Sequence, residues 1–441
     1  MSTETTTPSQ NMKGFKRILL DNRNVERDGY IWNMAGSLVN AFQSVFLLMI
    51  INRVLGSTES GIFSIAYANA SLFLNMGKYG MRYYQVSDVK HDYSFGEYCH
   101  SRTISSIAMI VTSVIYIIYS AITNNYSSYK TWVLICMCIF KVVDSFEDLY
   151  GGQYQNYGRL DVAGRIVFIR SVFLIVCYGL CICIFKDLLI SLIITIIFNA
   201  ISWIYMTVIT YHEVGIKWGS ASKRKVFSLL RTCFPLFAGA FLSFYIGNAP
   251  KYAIDAILSD DIQASYGFIA MPVFVVGLLN SFIFNPQIVG MTEQWQKGET
   301  REFVSRVIKQ VLIVIILTVI CIVGAYLLGV PVLSWLYATD LAPYKTDLLI
   351  LLVGGGFLGL TGLLNAAITI IRFQKVIAWG YLAVAVLALA FSNRIVNQYG
   401  IRGATVLYTI LMALTSLAFA IILVIGIIKN KNKGKEVTAG V

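Results

Sequence analysis

The chain has 441 residues, 57% of them hydrophobic and only 13% charged, with a formal net charge of +12. Soluble domains are nearer a quarter charged, so a soluble enzyme or binding domain is excluded. The positive charge alone would suit a nucleic acid, but its distribution along the chain gives it another meaning.

Apolar segments of about 20 residues recur from Tyr30 onward, each long enough to cross a bilayer core of ~30 Å. Backbone N–H and C=O groups in lipid must be paired within the segment, so the segments must be helices. Twelve spans are predicted, at residues 30–52, 61–80, 103–123, 132–150, 165–185, 188–211, 230–256, 264–285, 308–328, 347–371, 376–392 and 404–428. The predicted fold class is an all-α polytopic membrane protein. The first span is too long for a signal-peptide core and lacks a small-residue cleavage site, so it is expected to remain.

Residues 1–29 form an N-terminal segment. Span one carries a polar stripe, Asn33, Ser37, Asn40 and Ser44. Span two carries a longer one, Ser64, Ala68, Ser71, Asn75, Lys78 and Arg82, whose steps of four and three keep one helix face. Small and polar residues serve helix packing in membranes. A cation is not needed for packing, so Lys78 is placed in a cavity or at the headgroups.

Span four contains "CIFKVVDSFEDLY", in which Lys141, Asp144 and Asp148 share a face, with Glu147 beside it. A charge at mid-bilayer costs ~2.5–3.5 kcal/mol on insertion scales, so these groups must face protein or water. Arg170 in span five is expected at a similar depth. Two readings stand: a structural ion-pair network between spans four and five, or a charged cavity wall with an ion-coupling role.

The basic stretch 212–229 separates a first group of six spans (30–211) from a second (230–428), followed by a basic tail, 429–441. "INRVLGSTESGIFSIAYA" and "IDAILSDDIQASYGFIAM" open the two groups in a similar way, which fits parallel repeats with a substrate path between them. In span seven, "YIGNAPKYAID" places Asn248, Lys251 and Asp255 on one face, and Gly247 and Pro250 weaken the helix there. Interrupted helices are tolerated where they are buried or line a wet cavity. The plainer reading is a helix end with Lys251 snorkelling to the interface.

Of the Lys and Arg residues outside the spans, 22 fall on the side of the N-terminus and 6 on the other. That asymmetry is the positive-inside rule. It predicts cytoplasmic termini in a cell membrane, with attraction to anionic membrane lipids and no nucleic-acid partner. The eight cysteines and three histidines (His91, His100 and His212) show no zinc spacing and no nucleophile constellation. No catalytic residue, metal or cofactor is expected. The loops are too short for a nucleotide-binding domain, and GxxxxGK[ST] is absent. The longest external connection, about 18 residues around 329–346, is too small for a glycan polymerase or ligase.

"RVLGSTESGIFSIAYANASLFLNMGKYGMRYY" (53–84), "NAPKYAID" with "YGFIAMPVFVVGLLNSFIFNPQI" (248–288), and the Trp and Phe of "TEQWQKGETREF" resemble Wzx-type polysaccharide flippases. The resemblance implies the multidrug/oligosaccharidyl-lipid/polysaccharide superfamily: two six-helix lobes around a central cavity, working by alternating access. It implies a substrate, oligosaccharide linked to undecaprenyl pyrophosphate, carried to the outer leaflet for capsule, exopolysaccharide or O-antigen assembly alongside a polymerase and glycosyltransferases. It places Lys78, Arg82, Asn248 and Lys251 on the substrate path; Arg170 joins them from its depth alone. Peptidoglycan-precursor flippases of the superfamily carry more helices and more arginines in the first two, which this chain lacks. The alternative on the same fold is a cation-coupled exporter of small molecules, toward which Asp144 and Glu147 lean.

Overall fold

The computed structural model describes residues 14–21, 23–88 and 92–439, with the side chains of 281–283, 285 and 430–439 outside that description. His91 and the side chains of the basic tail beyond Lys429 therefore fall outside it. A short α1 (Phe15–Leu20) precedes α2 (Val25–Leu55), α3 (Ser57–Lys78) and another short helix, α4 (Met81–Ser87). Then come α5 (Phe95–Thr123), α6 (Ser128–Phe140), α7 (Val142–Asn156), α8 (Leu160–Phe185) and α9 (Leu188–Val214). The rest is α10 (Lys223–Ile257), α11 (Asp260–Phe284), α12 (Ile288–Gln296), α13 (Thr300–Gly324), α14 (Val330–Tyr337), α15 (Lys345–Ile370) and α16 (Ile377–Ala439). No strand occurs among the described residues.

Nine helical stretches among the described residues have the length and apolarity to cross a membrane. Three further spans complete the expected twelve. α3 is diluted by its polar stripe, α6 and α7 are divided at the charged Lys141, and α16 holds two spans. Gly400 (φ 58°, ψ −140°) breaks α16 in a conformation that costs glycine little. The two arms fold back on each other, with Tyr381 edge-on to Phe419 at 4.8 Å.

The segment expected as a long external loop, 329–346, is mostly helix. α13 continues through a π-helical turn, Ala325–Gly329, into α14. Pro331 has no N–H to give the preceding turn, and the wider turn accommodates that loss without ending the helix. α5 begins eight residues earlier than its predicted span. Ser94 and Glu97 form a capping box, each side chain accepting from the other's backbone N–H.

The chain folds as two compact units. One is the chain up to Leu55 with Asn69–Phe237; the other is Gly56–Ala68 with the chain from Ala238 onward. Two helices, α3 and α10, are thus shared between the units. The first half of α3 is tied to α10 and α11: Ser57 and Thr58 donate to Asp261, and Tyr252 donates to the carbonyl of Ala68. A Cβ on Gly61 would overlap the backbone of Asp260. The first half of α10 is tied to the other unit: Tyr79 stacks on Phe237 at 4.7 Å, and Lys225 donates to the carbonyl of Asp92.

The connection between α9 and α10 is residues 215–222, shorter than expected and pinned to α5. Gly96 N–H donates to the carbonyl of Trp218 (2.6 Å), Ser94 to that of Ser220 (2.6 Å), and Ser222 N–H to Glu97 (3.3 Å). The N-terminal segment is also tied down. Leu19 and Leu20 are buried in the first unit's core. Arg165 donates to the carbonyls of Leu19 (3.4 Å) and Asp21 (2.8 Å) while pairing with Asp28 (2.6 Å), and Arg159 donates to the carbonyl of Leu20 (3.4 Å).

Glycines let helices approach closely in both units. In the first, a Cβ on Gly36 of α2 would sit 2.9 Å from the carbonyl of Gly164 in α8. In the second, one on Gly356 of α15 would sit 2.6 Å from the Thr318 side chain of α13.

Candidate functional site

The charged residues of the first unit gather around α7, whose acids fall on two sides. Asp144 and Glu147 face α8. Arg170 donates to Glu147 (2.5 and 2.6 Å), to Asp144 (2.9 Å) and to the Asn199 side-chain oxygen (2.7 Å); Lys141 donates to Asp144 (2.8 Å). All five side chains are buried. Two acids meet two bases, so the cluster is neutral. Arg170, expected on a substrate path, uses four of its five N–H groups here and is 2% exposed. The α6–α7 boundary falls at Lys141, whose backbone stays near helical (φ −77°, ψ −9°). Its N–H still reaches the carbonyl of Met137 at 3.2 Å.

Asp148 points the other way, toward three cations. Arg102 is fully buried and donates to Asp148 (3.1 Å) and to the carbonyl of Gly77 (2.9 Å). Arg82 and Lys78 stand farther out, at 3.8 and 4.0 Å from the same carboxylate, with side chains 33% and 39% exposed. Three cations over one anion leave a surplus of two positive charges. At those separations Asp148 holds the outer two by charge rather than by hydrogen bonds. Arg82 gives one long bond to the Gln155 side chain (3.4 Å), which leaves it further donors for a ligand. Gly151 and Gly152 let Arg82 lie close over α7. Gln85 donates to Gln153 (2.8 Å) and Asn156 to the carbonyl of Gln85 (3.1 Å), docking α4 on the same helix.

Asn248, Lys251 and Asp255 lie on α10 in the second unit, all partly buried. Asn248 donates to the carbonyl of Phe244 (3.0 Å), the bond that a helix interior offers a short amide. α10 runs unbroken through Gly247 and Pro250, so the expected weak point is not a break in the helix.

Sequence reading misses two members of these clusters. It puts Arg102 in a cytoplasmic loop, whereas the capping box "SFGE" marks the earlier helix start that brings it inside α5. Asn199 of span six has no pattern of its own.

The architecture is that of a known class of transporter. Similar solved structures include the inward-facing conformation of a multidrug resistance MATE family transporter of the MOP superfamily, with TM-score 0.65 and 11% identity over 91% of this chain and 96% of that one. They include the lipid II flippase MurJ in an inward closed conformation, with TM-score 0.66 and 13% identity over 88% and 86%. A third is a MOP superfamily transporter from Pyrococcus furiosus, with TM-score 0.56 and 12% identity over 95% and 98%. No curated protein sequence matches the chain significantly.

The fold is therefore that of a multi-pass membrane transporter of the multidrug/oligosaccharidyl-lipid/polysaccharide superfamily. Residues 27–288, more than half of the chain, match the model of the polysaccharide biosynthesis protein family, and the chain belongs to that family.

Proposed function

We propose that the chain is a flippase that moves undecaprenyl-pyrophosphate-linked oligosaccharide repeat units from the cytoplasmic to the outer leaflet by alternating access, for surface polysaccharide assembly. The observation that carries this reading is the cationic surplus at Lys78 and Arg82, partly exposed above a single shared carboxylate. A diphosphate is acceptor-only and forms its strongest hydrogen bonds with such donors. A sugar headgroup cannot cross lipid alone, because each unpartnered hydroxyl costs ~2–7 kcal/mol. Catalytic residues have no part in this transport. A cation-coupled exporter would need free acids, whereas Asp144 and Glu147 are already held by Lys141 and Arg170. Lys251, on the α10 face with Asn248, is the second candidate contact for the charged part of the substrate.

The test is surface polysaccharide in a deletion strain complemented with variants, with membrane levels checked by blot. Lys78→Gln combined with Arg82→Gln should lower export about tenfold or more, the worth of hydrogen bonds to charged groups. Lys78→Arg should keep much of it, since a phosphate contact needs charge more than shape. Full export by the double variant at normal levels would overturn the reading.

The proposed orientation rests on the 22-to-6 charge split. In a cysteine-free background, Ser222→Cys should resist a membrane-impermeant thiol reagent in whole cells and Ser128→Cys should react. Both positions are exposed. Labelling of position 222 from outside would reverse the assignment.

A further inference from the structure

The second unit contains a cavity that the cationic cluster does not explain. It lies between α12 with the turn that follows it and the last turns of α15, and holds about 1170 Å³. Pockets for drug-sized ligands run to about 300–1,000 Å³, so the space suits something larger than an ion or a lone phosphate. Its walls are of two kinds. Ile288 and Ile370 supply apolar surface. Trp295 adds an indole, half-buried and braced by Phe303 at 5.1 Å. The cavity is further lined by Gln296, Asn365 and Arg372, whose side chains form no hydrogen bond or ion pair among the described residues. Gly362 leaves its part of the wall open.

The balance of donors and acceptors names the ligand class. An indole N–H only donates, two primary amides both donate and accept, and one guanidinium donates. A phosphate only accepts, and would be matched by several cations. Hydroxyl groups both donate and accept, which is what two amides match. The α15 C-terminus also ends at this cavity, and its carbonyl end disfavours an anion. An indole beside aliphatic walls fits the apolar face of a sugar ring, since an aromatic offers a large flat apolar surface with one polar edge.

We propose that this cavity, built around Trp295, Gln296, Asn365 and Arg372, is a binding subsite for the neutral glycan part of the lipid-linked substrate. The proposal rests on the flippase reading above and adds a second, separable recognition element to it. The cations of the first unit contact phosphate and this cavity contacts sugar.

The experiment is calorimetric titration of the purified full-length protein with the phosphate-free oligosaccharide released by mild acid from the lipid-linked pool of the producing strain. The wild type should bind. Trp295→Ala and Asn365→Ala should each weaken binding about tenfold or more. Trp295→Phe, which keeps a ring, should retain most of it and serves as the folding control with a matching gel-filtration profile. Lys78→Gln should bind the free glycan like the wild type, because that probe carries no phosphate. Unchanged glycan binding in Trp295→Ala, or no binding by the wild type, would overturn the subsite. So would displacement of bound glycan by phosphatidylglycerol vesicles but not by phosphatidylcholine vesicles, which would mark an anionic-lipid pocket. The flippase reading fails on a different result, full export by the Lys78 and Arg82 double variant, so the two failures are distinguishable.

Discussion

Arg170→Met is expected to remove most of the folded protein from the membrane. The substitution leaves Asp144 and Glu147 buried with Lys141 still bonded to Asp144 alone of the two, and it strips the Asn199 side-chain oxygen of its donor. Breaking a buried ion pair by deleting one partner costs about 3–5 kcal/mol, a large share of the 5–15 kcal/mol that holds a typical domain together. Adding Glu147→Gln should return much of the loss, because Lys141 and Asp144 then form a balanced pair. Lys141→Met should be milder, since Arg170 still faces both acids. The measurement is a double-mutant cycle on thermal stability in detergent, with membrane yield alongside. Normal yield for Arg170→Met, or purely additive effects with Glu147→Gln, would show that the cluster is not coupled.

The second large effect is steric. Gly61→Leu should force the start of α3 away from the start of α11, because Gly61 lies directly against the backbone of Asp260 and even a Cβ has no room there. Inserting bulk into a packed contact costs about 1–3 kcal/mol, and here the displaced neighbour is main chain, which cannot turn aside as a rotamer can. Thr58 and Asp261, bonded at 3.0 Å, report the separation. A Thr58→Cys, Asp261→Cys pair should cross-link readily with glycine at position 61 and poorly with leucine. Equal cross-linking would mean that the contact yields.

The spans could be read in advance because lipid imposes one rule on backbone and side chain together. The differences lie where a local rule overrode apolar length. The π-helical turn before Pro331 absorbed a missing donor and carried the helix to Tyr337, where a loop was expected. Ser94 and Glu97 moved the start of α5 outward and turned Arg102 from a loop residue into a buried one. The charged cluster on α7 was half readable. The spacing of Lys141 and Asp144 announced a pair, and the cost of charge in lipid announced that it would be buried. Which acid would face which arginine depended on how α5, α8 and α9 surround α7, and periodicity carries no information on that. Asn199 and the side-chain amide of Asn365 had no local signature, since a single amide acquires meaning only from what lies opposite.

The tether of α1 bears on how the chain is made. Leu19, Leu20 and Asp21 leave the ribosome early, yet the arginines that bind their carbonyls lie far downstream, Arg165 being 144 residues beyond Asp21. At synthesis rates of about 5–20 residues per second, that interval is roughly 7–30 s. For that time two leucines destined for the interior have no receptor, and the first spans are already being inserted. Closure of α1 over the ends of α8 and α9 is therefore a late event in biogenesis, after six spans have been made.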